Sequence, residues 1–114
     1  LRMIEEEKMD AVTALGGSGP AFIAYILDAF SKAAEKQGLG KEISYNLALQ
    51  TLFGTAKLLK ETKENPESLI KRVASPNGTT IAGLNILEKS ELKSIIEKTI
   101  EAAAKRSKEL GKNE

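Results

Sequence analysis

The sequence predicts an all-α domain, a helical bundle that takes part of its cover from a second copy of itself. Apolar residues recur at three-four spacing along most of the chain, no stretch alternates with period two, and capping residues punctuate the helices. One helix is apolar nearly all round, and 114 residues offer too little chain to enclose it.

The elements follow in order. Residues 1–9, Leu-Arg-Met-Ile-Glu-Glu-Glu-Lys-Met, are charged and read as a linker or strand end arriving from an upstream domain. Opening on Leu1 rather than Met fits that expectation. Asp10 precedes a short segment, 11–15, that is either one turn of helix or extended. Gly16-Gly17-Ser18-Gly19-Pro20 reads as a sharp turn, with Ser18 as N-cap and Pro20 near the first helical position, where its missing N–H costs nothing.

A helix then runs to about Gln37. Phe22, Ile23, Ile26, Leu27, Phe30, Ala33 and Ala34 make its main face, and Ala21, Ala24, Tyr25 and Ala29 leave the other faces small or apolar too. Such a helix needs cover on more than one side, which a second subunit would supply. Gly38 and Gly40 separate it from a second helix, about 41–61, with Ile43, Leu47, Leu52, Phe53, Ala56 and Leu59 as its stripe. Gly54 sits inside that helix at a cost of about 1 kcal/mol against Ala, which suggests close backbone packing. Asn65-Pro66-Glu67 opens a short third helix, about 66–73: a cap, a fixed φ and an acid at the positive end. Ser75-Pro76-Asn77-Gly78-Thr79-Thr80 interrupts the run before a fourth helix, about 79–87. Ser90 caps the last helix, whose stripe is Leu92, Ile95, Ile96, Ile100, Ala103 and Leu110, and Gly111 ends it. The domain therefore spans 10–111, with 112–114 as a tail.

Composition excludes several functions. Seventeen Lys and Arg against sixteen Asp and Glu leave a net charge of +1, which gives no electrostatic case for nucleic acid or an anionic membrane. Three Phe, two Tyr and no Trp leave few rings to stack on bases. Cys and His are absent, so disulfides, thiolate or imidazole catalysis and the usual zinc sites are impossible, and no metal site is expected. The longest uncharged stretch, 11–27, is too short and too interrupted to span a membrane. A soluble, cytoplasmic protein is expected.

Two glycine-containing clusters invite chemical readings. Gly16-Gly17-Ser18-Gly19 follows an apolar run and precedes a helix, yet its spacing is not G-x-G-x-x-G and no second strand with an acid follows. A turn into a buried helix explains it, so no cofactor-binding residue is assigned. The second cluster places three hydroxyls, a glycine and backbone N–H groups at a helix start, an arrangement that holds a carboxylate or phosphate without a charged side chain. Gly78 permits close backbone approach or a positive φ. A capped turn between two helices fits equally well.

Three stretches resemble the pyrroline-5-carboxylate reductase family. Residues 10–22, DAVTALGGSGPAF, are similar to its D-A-V-T-x-L-S-G-S-G-P-A-Y segment. Residues 52–59, LFGTAKLL, resemble its L-G-A-A-K-hydrophobic helix, and 73–84, VASPNGTTIAGL, its V-x-S-P-G-G-T-T-I-x-x-L loop and helix. Gly16, Phe22 and Asn77 depart from the pattern, which usually has Ser, Tyr and Gly there.

That resemblance implies the C-terminal, dimerising domain of an enzyme that reduces 1-pyrroline-5-carboxylate to L-proline with NADPH or NADH. The nucleotide would be held mainly by an N-terminal domain outside these residues, and the fragment alone would be inactive. It also implies a homodimer, an all-α helical bundle that intertwines with a second copy, with further assembly open, and an imino-acid substrate. By carry-over, Ser75 and the N–H groups of Gly78, Thr79 and Thr80 bind the substrate carboxylate, and the Thr80 hydroxyl serves catalysis by bonding the ring nitrogen. The rival readings are a purely structural dimerisation module, and a free-standing helical protein that binds an anionic metabolite.

Overall fold

The computed structural model describes residues 8–74 and 78–112, the last of these in backbone only. Among them the chain is helical with no strand: α1 (Met9–Val12), a π-helical turn (Thr13–Gly17), α2 (Gly19–Lys36), α3 (Lys41–Thr62), α4 (Pro66–Ala74), α5 (Gly78–Lys89) and α6 (Leu92–Lys112). The described residues fall into two compact units, one formed up to Ile23 together with the chain from Leu87 onward, the other by Ala24–Ile86.

The first unit joins the two ends of the chain. α1 and the π-turn pack against α6. Ala14, fully buried in the π-turn, is its tightest apolar contact. The Ser107 hydroxyl donates to the Asp10 carboxylate at 2.8 Å, tying positions 97 residues apart. The sharp turn expected at Gly16–Pro20 is instead a widening of one helical path. The Ser18 N–H reaches back five residues to the Thr13 carbonyl at 3.0 Å, and two glycines at 16 and 17 let the backbone open to that pitch. Ser18 is not an extended N-cap either. Its φ of −88° and ψ of −23° are helical, and its carbonyl accepts from Ala21 at 3.0 Å. At the other end α6 runs through Gly111 to Lys112, past the expected stop.

In the second unit the helix ends do follow the local code. α2 closes on Gly38, whose φ of +101° suits glycine; its N–H donates to Glu35 O at 2.9 Å and that of Leu39 to Ala34 O at 3.3 Å. α3 ends on Lys63 in the same left-handed region, φ 60°, where a side chain is strained. Asn65 caps α4, its Oδ1 accepting from the Ser68 N–H at 2.8 Å. Beside it the Arg72 guanidinium donates twice to Glu64, at 3.2 and 2.6 Å, and with the Ser68 hydroxyl holds that carboxyl below the usual carboxylate range. In the first unit Ser90 opens α6 as expected, its Oγ accepting from the Leu92 N–H at 3.2 Å.

Burial inverts the usual order. Among the described residues the buried side chains are small, Ala14, Ser31 and Ser44, while large apolar residues stand in the open. On α3 the row that turns inward is Ser44, Ala48 and Leu52. The rows flanking it, Ile43 and Leu47 on one side and Tyr45, Leu49 and Phe53 on the other, are exposed. Phe22, Ile26 and Leu27 are half-buried, whereas Tyr25 is 80% exposed and Phe30 62%, so α2 is only partly covered by the described residues. Gly54 meets only the Gln50 side chain, at 3.7 Å, so close backbone packing there is not seen within one chain.

By length and composition the helical stretch Met9–Lys36 is also apolar enough to cross a membrane. The core helix of a protein that spans no membrane can be equally long and apolar.

Candidate functional site

The segment singled out by sequence lies between α4 and α5. α4 carries Lys71 and Arg72 in its last turn, and α5 begins directly on Gly78. Of the expected site residues, Gly78, Thr79 and Thr80 form the first three positions of the 12-residue α5, so their backbone N–H groups lie at a helix N-terminus. Ser75, together with Pro76 and Asn77, lies outside the described residues.

Gly78 and Thr79 are exposed and Thr80 is half-buried. Gly78 does not need the positive φ that glycine would permit, because among the described glycines only Gly38 adopts one. What it offers is space: among the described residues, its chain neighbours and its own helix's backbone aside, nothing lies within 4 Å of where a Cβ would stand. Thr79 already takes part in an interaction within the chain. The arrangement thus presents a positive helix end, an unobstructed glycine and a half-covered hydroxyl, features able to receive a small acid.

The first glycine cluster makes no such cradle. Gly16 and Gly17 lie inside the π-turn and Gly19 opens α2, with no strand leading in, so a dinucleotide's pyrophosphate finds no strand-turn-helix here. Nearby, a shallow cleft of about 440 Å³ is lined by Asp10, Thr13, Ser18, Arg106, Ser107 and Leu110 among others. Sequence reading missed it, since Asp10 and Ser107 meet only in three dimensions. Its charged groups are paired: Asp10 accepts from Ser107, and Arg106 pairs with Glu109 at 3.2 Å. Among the described residues no buried side-chain polar atom lacks a partner.

The chain matches the family described as pyrroline-5-carboxylate reductase dimerisation over residues 6–110. A pyrroline-5-carboxylate reductase of Synechocystis is 48% identical over 109 residues, covering 96% of this chain and 41% of that protein. Pyrroline-5-carboxylate reductase 1 of Bacillus subtilis is 46% identical over 110 residues, covering 96% and 37%. Two solved structures share the fold. The Plasmodium falciparum pyrroline carboxylate reductase, solved with NADP bound, superposes with a TM-score of 0.88 at 37% identity, over 95% of this chain and 41% of that one. The Coxiella burnetii pyrroline-5-carboxylate reductase gives 0.89 at 39% identity, over 94% and 40%. The chain spans about two fifths of the length of the curated relatives it matches. A matched stretch of residues 6–110, an all-α fold and relatives near half identical leave one conclusion: this chain belongs to the pyrroline-5-carboxylate reductase dimerisation family.

Proposed function

We propose that this chain is the dimerising, substrate-holding part of an enzyme that reduces 1-pyrroline-5-carboxylate to L-proline with NAD(P)H. The relatives' names support the reaction, and the exposed apolar rows of α2 and α3 support a homodimer. The domain so proposed covers 10–111, with 1–9 as the link from a nucleotide-binding domain. None of the described residues fits a dinucleotide cradle, so the nucleotide is assigned to the rest of the parent protein.

What falls to these residues is the acid. The observation that carries the reading is the start of α5, where Gly78 stands at a helix N-terminus with space for a Cβ among the described residues. The substrate carboxylate is held by the N–H groups of Gly78, Thr79 and Thr80, with Ser75 beside them. The Thr80 hydroxyl bonds the ring nitrogen. An imine accepts hydride more readily when its nitrogen is protonated, and fixing the carboxylate sets which face of the reacting carbon is presented. Positioning of this kind requires neither His nor Cys, and the sequence has neither.

A purely structural turn is the competing reading, favoured by the interaction Thr79 already makes. Titrating the isotope-labelled dimer with L-proline separates the two. The backbone amide resonances of Gly78 and Thr80 are expected to shift progressively and saturate. Resonances that stay in place while proline binds elsewhere, or not at all, leave the turn as a cap only.

A further inference from the structure

We infer that folding and association are a single step for this chain, so that it has no folded monomer; the inference rests on the dimer reading above. Among the described residues the fully buried side chains are an alanine and two serines, and large ones such as Phe22, Leu27 and Leu52 are only half-buried. Many of the large apolar residues able to drive folding face outward instead, and on more than one side of the same helix.

On α3 the exposed rows flank the inward one, Ile43 (57%) and Leu47 (53%) to one side, Tyr45 (46%) and Phe53 (57%) to the other. On α2, Ile23 (49%) and Phe30 (62%) are seven residues apart and share a side, while Tyr25 (80%) points away from both. On α5, Ile81, Ile86 and Leu87 point in three directions and all are exposed.

A neighbour within the chain covers one side of a helix. Rows exposed on opposite sides need cover from a body that wraps around, and a second copy of the chain is that body in a dimerisation family. Such an interface is a domain core divided between two chains. Taking the partner away returns these rows to water, and the narrow margin of a folded domain does not survive that loss.

The test is urea unfolding of the 114-residue chain, followed by circular dichroism and sedimentation over a roughly hundredfold range of concentration. The midpoint is expected to fall with dilution, and the helical signal and the dimer mass to disappear together. A second arm uses Tyr25→Lys, a change a folded monomer tolerates at so exposed a site. In that variant helix and dimer are expected to be lost together and to return together only at about tenfold or more higher concentration. A helical species of half the mass, reached on dilution, overturns the single step and leaves the dimer standing. A helical monomer at every concentration overturns both. Tyr25→Lys with unchanged mass and midpoint also overturns the inference, because α2 would then not be enclosed.

Discussion

Ala14→Leu is expected to destabilise the chain by about 1–3 kcal/mol, read as a lower urea midpoint at fixed protein concentration. Ala14 is fully buried inside the π-turn, and that turn packs on α6. Three added carbons have nowhere to go unless the turn lifts away from α6. Lifting it pulls at the hydrogen bond from Ser107 to Asp10, which ties the same two segments. Enlarging the neighbouring Leu15, 69% exposed, meets no such wall within the chain. An Ala14→Leu midpoint equal to that of the parent sequence would mean the π-turn is not seated on α6 as described.

The second large effect is kinetic and is read in the whole reductase proposed to contain this chain. Thr80→Val keeps the side chain's shape and removes its hydroxyl. If that hydroxyl bonds the ring nitrogen as the imine becomes an amine, turnover is expected to fall by about fivefold or more, roughly 1 kcal/mol of transition-state stabilisation. The Michaelis constant should change less, because the carboxylate grip comes from backbone N–H groups the substitution leaves in place. Thr80→Ser should restore most of the rate. Steady-state kinetics of the three proteins side by side check the assignment, and unchanged turnover in the valine variant removes Thr80 from the chemistry.

Much of the fold was legible because helix ends are local. Gly38, Asn65-Pro66 and Ser90 each act within a few residues, and each sits where the structure ends or begins a helix. The apolar character of α2 on several faces was legible too, and Ile23, Tyr25 and Phe30 stand exposed on it. Features set by pitch or by distance were not. The bond from Ser18 to Thr13 spans five residues rather than four, and glycines at 16 and 17 permit either a turn or a widened helix. Nothing in the sequence marks Ser107 as the partner of Asp10. At the site, a helix start bearing Gly78, Thr79 and Thr80 followed from composition and spacing, whereas the conformation of Gly78 did not. Glycine announces that positive φ is allowed, and the helix simply did not use it.

The most direct measurement is a crystal structure of the parent reductase with L-proline bound. The account predicts the proline carboxylate within hydrogen-bonding distance of the Gly78 and Thr80 backbone N–H groups, with the ring nitrogen facing the Thr80 hydroxyl. A carboxylate gripped instead by a charged side chain elsewhere, with the start of α5 facing only solvent, would contradict it.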